Sequence, residues 1–240
     1  MSARMIQLAE TDSTNTWLKQ HRAELSHGTA VTALRQTAGR GRMGNEWLDD
    51  EGMLPLSVLL RDPPQPQFIT LAVSLAVCSA IEPLIGERLG IKWPNDIILR
   101  EHKLCGILCE SAANGDGIDI ICGVGVNISQ SADFFCRSGI PHGGSLSSVL
   151  GVSADRERLA AAIADGILRF SQADFAELFE DYRSRSVTVG REVKLISPTG
   201  ERTAFAEDIA EDGQLICRDG EQRFKVNSGE VSVRGLLGYV

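Results

Sequence analysis

Gly39-Arg40-Gly41-Arg42-Met43-Gly44-Asn45-Glu46-Trp47 alternates three glycines with two arginines and closes on a tryptophan. Such a run suits neither a helix nor a strand, since each Gly inside an element costs about 0.5–1 kcal/mol relative to Ala. It does suit a mobile loop whose backbone N–H groups and guanidinium forks close on an anion. A solvated basic linker and an RNA-binding Gly/Arg patch share this composition, and the loop alone leaves them open.

Other segments, far apart in the chain, carry side chains fit for the same task. Asp12-Ser13-Thr14-Asn15 offers hydroxyls and an amide where a strand gives way to a helix, and plain helix capping would use the same residue types. Gln36 stands just before the Gly/Arg loop. Lys92-Trp93-Pro94-Asn95-Asp96 and Lys103-Leu104-Cys105-Gly106-Ile107-Leu108-Cys109-Glu110 each place a lysine near polar or small residues. Gly123-Val124-Gly125-Val126-Asn127 pairs glycines within a strand, a pattern of bulges, close backbone packing or close approach of a ligand.

Composition narrows the setting. The chain has 240 residues, 43% hydrophobic and 23% charged, which is ordinary for a globular protein able to bury a core without staples. With 24 Lys+Arg against 32 Asp+Glu, the net charge of -8 gives no basic excess for non-specific nucleic-acid or anionic-membrane binding. The loop arginines are therefore a local positive feature on an acidic protein. Aromatic content of 5% further disfavours RNA binding by stacking. Six cysteines follow no framework spacing. Cys105 and Cys109 read as small apolar residues of a buried strand. A zinc site from Cys105, Cys109, Cys122, Cys136 and His142 is disfavoured because no C-x2-C pair occurs. The N-terminus lacks a signal-peptide h-region, and no apolar run reads as long enough to span a bilayer. Reduced thiols in the cytoplasm are the expectation.

These residues need elements to position them. Met5–Ala9 reads as a strand, Trp17–Leu25 as a helix, Thr29–Gln36 and Leu54–Leu60 as strands. Phe68–Ile85 is apolar on nearly all faces, as a buried helix would be. Gly90–Leu99 is a strand interrupted by proline. Lys103–Glu110 and Ile118–Ile128 form a hairpin through Asn114-Gly115-Asp116-Gly117. Ala154–Phe170 and Gln172–Arg185 are helical. From Val187 onward, short apolar runs at 193–196, 215–217, 224–226 and 231–233 alternate with turns at Pro198-Thr199-Gly200, Glu211-Asp212-Gly213 and Asp219-Gly220, which suggests a small barrel-like β domain.

Together the motifs D-S-T-N, G-R-G-R-x-G-x-x-W, K-W-P-N-D, K-x-x-G-I-L-x-E and G-x-G-x-N resemble those of the biotin protein ligases, and they occur here in that family's order. The tail Ser228-Gly229-Glu230-Val231-Ser232-Val233-Arg234 resembles the end of the family's C-terminal domain, so the likeness covers essentially the whole chain. It implies an α+β fold: a mixed central sheet flanked by helices over residues 1–186, the biotin/lipoate ligase catalytic fold, and a small SH3-like β-barrel over 187–240. Family members that also act as repressors carry a winged-helix domain ahead of the core, and this chain starts at the core. A ligase that does not bind DNA is therefore the expectation.

The resemblance implies that biotin and ATP, with Mg2+, are converted to biotinyl-5′-AMP and pyrophosphate. The biotinyl group then passes to a lysine of a biotin carboxyl carrier protein, and AMP leaves. It assigns catalysis to Lys103, Arg42 and Arg40. Biotin is assigned to Ser13, Thr14, Asn15, Gln36, Gly39, Arg40, Gly41, Arg42, Lys103, Gly106 and Gly125. The nucleotide falls to Arg40, Arg42, Trp47, Lys92, Asn95, Lys103 and Asn127, and no metal ligand is assigned. A homodimer through the central sheet is compatible with the resemblance; a membrane role is not implied. Lipoate ligases share the fold and the adenylation chemistry, but the full Gly/Arg loop and the C-terminal β domain favour biotin. A nucleotide-responsive binder without catalysis could dispense with Lys103 and both loop arginines, and all three are present.

Overall fold

Strict alternation along the central strands decides which side chains meet the core and which meet the opposite face. The computed structural model describes residues 2–48, 50–197, 200–228 and 232–235. In chain order it begins with β1 (Arg4–Thr11), α1 (Thr14–His21), β2 (Thr29–Gln36), β3 (Met53–Arg61) and α2 (Ile69–Ile85). Next come β4 (Gly90–Lys92), β5 (Asp96–Leu99), β6 (His102–Asn114) and β7 (Gly117–Asn127). The helices α3 (Ala132–Arg137), α4 (Leu146–Leu150), α5 (Arg156–Phe170) and α6 (Phe175–Ser184) follow. The chain ends in β8 (Arg191–Ser197), β9 (Gly200–Ile209), β10 (Leu215–Asp219), β11 (Gln222–Val226) and β12 (Ser232–Gly235).

Seven strands share one sheet in the order β1-β2-β3-β7-β6-β5-β4. β1 and β2 are parallel and the other neighbours antiparallel, so the sheet is mixed, in line with the sequence. The β6–β7 hairpin closes where the sequence places it: Asn114 pairs with Gly117 across a turn in which Gly115 takes φ +60°.

Leu54, Leu56, Val58 and Leu60 of β3 enter the main core, while Leu59 joins Leu18, Val31 and Ile121 in a small second core under α1. On the main-core face α2 covers the sheet and α5 packs along α2, with Gly166 set close against Ala76. Ser57 of β3, Gly106 and Leu108 of β6, and Gly123 and Gly125 of β7 are out of phase with the main-core residues. They open on the face that carries α1.

The α2 stretch corrects one expectation. Pro66–Ile85 has 20 residues and mean hydropathy 2.0, long and apolar enough by length and composition to cross a bilayer. Its side chains, Leu71, Val73, Leu75 and Val77 among them, instead fill the main core. Burial on nearly every face accounts for the composition.

The C-terminal strands form an antiparallel sheet in the order β11-β10-β9-β8-β12. Among the described residues no strand pair closes it into the expected barrel. β9 carries little signal in the sequence, because it opens on Glu201-Arg202-Thr203 and turns only Ala204, Ala206 and Ile209 fully inward. Helices α3 and α4 are too short to show periodicity. Pro198 and Thr199 of the expected turn, and Gly229, Glu230 and Val231 of the tail, lie outside the described residues.

Val193, Leu195, Ala206 and Cys217 belong to the same core cluster as α2, so the two sheets share one apolar interior. Trp93 fastens the junction. Its backbone N–H donates to Thr188 Oγ1 (2.9 Å) and its indole Nε1–H to the Gly213 carbonyl (3.0 Å), while the Tyr182 hydroxyl donates to the carbonyl of Pro94 (3.3 Å). The Trp93–Pro94 peptide is cis. Trp93→Ala should lower the unfolding free energy by about 3–5 kcal/mol through the cavity it leaves. Trp93→Phe should cost less, about 1–3 kcal/mol, chiefly from the unpaired Gly213 carbonyl. Urea titration measures both, and a Trp93→Ala midpoint equal to wild type would refute this anchoring role.

Candidate functional site

Three elements of the sheet face, the loop after β2 and the start of α1 enclose a cleft of about 650 Å³. Every residue assigned from the sequence to catalysis, biotin or the nucleotide lines it except Gly39. Gly39 is held within the loop, its carbonyl accepting from the Trp47 N–H at 2.9 Å.

The loop is folded rather than extended. Gly41 N–H donates to Asn45 O (2.7 Å), the backbones of Arg40 and Glu46 form an isolated antiparallel bridge, and a 3-10 turn spans Arg42–Gly44 with Met43 at φ 55°. This fold lays the Trp47 indole flat on the sheet, over Gly106 and Gly125, which pair directly across β6 and β7. A β-carbon at Gly106 would stand 2.6 Å from Trp47 Cζ3, and one at Gly125 2.8 Å from Cε2. Both distances are below van der Waals contact, so the two glycines make the floor on which the ring rests. Trp47 Nε1–H points at Met53 Sδ, and the Lys103 ammonium lies 5.1 Å from the ring centroid, a cation–π distance.

The D-S-T-N segment builds the second wall. Ser13 is the N-cap residue of α1, yet its side chain makes no capping bond. The segment's side chains turn instead to a buried polar cluster. Thr14 donates from both N–H and Oγ1 to Gln36 Oε1 (2.8 and 3.1 Å). The Ser57 hydroxyl donates to Asn15 Oδ1 (2.6 Å) and lies 2.8 Å from Thr14 Oγ1. Asn15 Nδ2 donates to Leu108 O (3.1 Å) and to Glu110 Oε2 (2.9 Å). Gly123 leaves room for this amide, since a β-carbon there would be 2.3 Å from Asn15 Oδ1.

The cations converge from different elements. Lys103 of β6 pairs with Asp96 of β5 at 2.7 Å. Arg42 donates to Asn95 Oδ1 (3.2 Å) and to the Ser228 carbonyl, which joins the loop to the C-terminal unit. Burial lowers the Arg42 guanidinium from its ordinary range, and the Asp96 charge opposes that shift. Arg40 reaches Glu110 at 2.9 Å. Lys92 is only 5% exposed. Cations partly withdrawn from water and fixed neutral donors lining one cleft suit a ligand that carries both anionic and neutral polar groups.

Two amides assigned from the sequence are engaged within the protein. Asn127 Nδ2 donates to Lys103 O (3.2 Å) and Gly144 O (3.1 Å), and its Oδ1 accepts from Gln130 Nε2 (3.1 Å). Asn95 Nδ2 donates to Ile107 O at 2.7 Å. The motifs left Glu110 without an assigned role and gave no notice of Ser57 or of the segment 134–143, which forms a further wall. A lone hydroxyl inside the apolar run Leu54–Leu60 was a usable signal for Ser57, but the segment 134–143 has no periodicity to read.

The chain matches the family model described as the biotin/lipoate A/B protein ligase family over residues 8–127, and the biotin protein ligase C terminal domain over 188–234. It is 34% identical to a biotin--[acetyl-CoA-carboxylase] ligase of Mycobacterium tuberculosis, over 93% of this chain and 86% of that one. A ligase of the same name from Paracoccus denitrificans is 32% identical over 95% of this chain and its own full length. Among solved structures, a biotin protein ligase from Aquifex aeolicus in complex with biotin and ATP superposes with a TM-score of 0.80 at 32% identity, covering 97% of this chain and 99% of that one.

The glycine floor is directly testable. Gly125→Ala should force the indole off the sheet and move Trp47 fluorescence to longer wavelength, with Trp47→Phe used to assign that emission. A Gly125→Ala spectrum identical to wild type would contradict the packing.

Proposed function

This chain belongs to the biotin/lipoate A/B protein ligase family, and on that premise we propose how its cleft works. The protein is an ATP-dependent biotin ligase: it activates biotin as biotinyl-5′-AMP and transfers the biotinyl group to a lysine of a carboxylase carrier domain. The observation that supports this cleft as the place of reaction is convergence. Motifs spread from Ser13 to Asn127 line a single cavity.

Biotin has a polar ureido ring, an apolar thiophane and valeryl chain, and a carboxylate. We assign the ureido ring to the Ser13, Thr14, Asn15 and Gln36 end, where Ser57 completes a cluster of fixed donors and acceptors. The apolar middle lies along Gly106 and Gly125, the floor now under Trp47, so the ring shifts when this volume fills. The carboxylate then points toward Lys103 and the loop arginines. Attack of a carboxylate on the α-phosphorus brings two anions together, and preorganised cations lower that barrier. Lys103 suits this best, since β6 and its Asp96 partner hold it in place. Arg40 and Arg42 ride on the loop, with Gly39 and Gly41 giving it its turns, and close over the mixed anhydride to exclude water. Trp47, Lys92, Asn95 and Asn127 border the nucleotide, the asparagines by holding strand and loop in register.

ATP brings Mg2+ on its phosphates in this reading. Among the described residues no group of three His, Cys, Asp or Glu side chains forms a cage. Mg2+ is commonly held by one or two carboxylates together with substrate phosphates. We place the catalytic unit at 1–186 and the C-terminal unit at 187–240, a division that the match over 188–234 supports, and read the antiparallel C-terminal sheet as SH3-like. The net charge of -8 supports a protein that does not bind DNA, and cytoplasmic action fits the free cysteines.

Biotin-dependent ATP–pyrophosphate exchange, with intact-mass measurement of a carrier domain, tests the function. Lys103→Ala should slow exchange by about 10²–10³-fold, the usual loss for one preorganised donor. Lys103→Arg serves as the folding control that keeps a cation beside Asp96. Near-wild-type exchange by Lys103→Ala would remove the residue from the mechanism. Arg42→Gly should let the anhydride escape about 10–100-fold faster, the equivalent of one charge-assisted contact. The readout is biotin incorporation into albumin as a bystander. No rise over wild type would refute the loop as a clamp.

A further inference from the structure

Glu110 puts a negative charge directly behind Asn15 and Arg40, two residues that line a cleft that must gather anions, a cost that calls for a compensating use. Its position is set by the period of β6: Gly106, Leu108 and Glu110 follow one another on the site face. One oxygen, Oε2, accepts from Asn15 Nδ2 and from Arg40 Nη2, each at 2.9 Å. The carboxylate is 20% exposed, against 46% for Arg40.

An ionised carboxylate only accepts hydrogen bonds, so it dictates which end of a neighbouring amide faces it. Beside Glu110, Asn15 must turn its NH2 toward β6, where Leu108 O takes the second hydrogen at 3.1 Å. The Asn15 oxygen is then directed at Ser57, 2.6 Å away. Both amide hydrogens are used and the amide cannot rotate without losing them. The Arg40 bond ties the Gly/Arg loop to the same atom. We infer that Glu110 is a positioning residue for the ligase: its carboxylate fixes the orientation of the Asn15 amide that meets the biotin head group and anchors the loop through Arg40. Head-group recognition and loop placement are thereby coupled through one side chain. This rests on the ligase reading of the cleft.

Glu110→Gln and Glu110→Ala test it in the full chain. The glutamine is isosteric, but its NH2 can face that of Asn15, so the amide orientation is no longer enforced. In pyrophosphate exchange, the KM for biotin should rise about tenfold in Glu110→Gln and further in Glu110→Ala, the order of one charge-assisted bond. At saturating biotin, kcat should stay within about threefold and the thermal midpoint near that of wild type. Bystander biotinylation should rise in Glu110→Ala and in Arg40→Ala, and no further in the double variant, since the two residues act through one contact. If Glu110→Ala does not fold, the glutamine variant carries the test alone. A wild-type KM for biotin in Glu110→Gln would overturn the inference, as would a parallel fall of kcat and thermal midpoint without a KM change. Absence of biotin-dependent exchange in wild type would instead remove the ligase reading itself.

Discussion

Gly106 and Gly125 face each other across β6 and β7, and the missing β-carbons let another group lie directly on the backbone of the sheet. The loop lands where it does because Trp47 rests on that floor, and the arginines of the loop are placed by where the tryptophan rests. Lys103 lies beside the same ring, three residues before Gly106 on β6. Any side chain on either glycine would displace the indole, and with it the segment that brings Arg40 to Glu110 and Arg42 to Asn95. The floor is a surface defined by what is absent, which makes it intolerant of change at both positions at once.

Around that floor, charge is organised locally against the global balance. An acidic protein gathers Arg40, Arg42, Lys92 and Lys103 into one cleft, and each pairing seen there has a defined geometry. Asp96 sits 2.7 Å from Lys103, and Glu110 2.9 Å from Arg40. As partly exposed ion pairs, worth about 0–1 kcal/mol each, these pairs matter through position more than through stability. They hold cations ready in a site where water will be excluded and each charge will act at greater strength.

Much of this was legible in the sequence for physical reasons. Apolar runs bounded by turn residues marked β3, β6 and β7, and the Asn114-Gly115-Asp116-Gly117 turn marked the β6–β7 hairpin, in which Gly115 takes positive φ. Motifs with Gly beside Arg or Lys gave the cleft. Partnerships were not legible. Nothing local in the apolar run of β3 says that Ser57 meets Thr14 and Asn15, 43 and 42 residues away. Glu110 stood inside a recognised motif, yet its two partners are 95 and 70 residues distant. Asn127 lines the cleft, as its motif suggested, but its internal bonds to Lys103, Gly144 and Gln130 could not be read from the sequence. The length and apolarity of Pro66–Ile85 fit a membrane span as well as a core helix, and only the packing of α5 and the sheet decides between them.

The segment Lys92–Asp96 shows how one turn serves stability and chemistry together. Trp93 is buried in the main core and fastens the C-terminal unit through Thr188 and Gly213. Asn95 and Asp96, the next polar residues, hold Arg42 and Lys103. Arg42 in turn reaches the Ser228 carbonyl of the C-terminal unit, so that unit touches the site by two routes, one rigid and one through the loop. A shift of the loop changes the second route while the first stays fixed. The first route is held by the shared core of Val193, Leu195 and Cys217 with α2, which resists separation of the units.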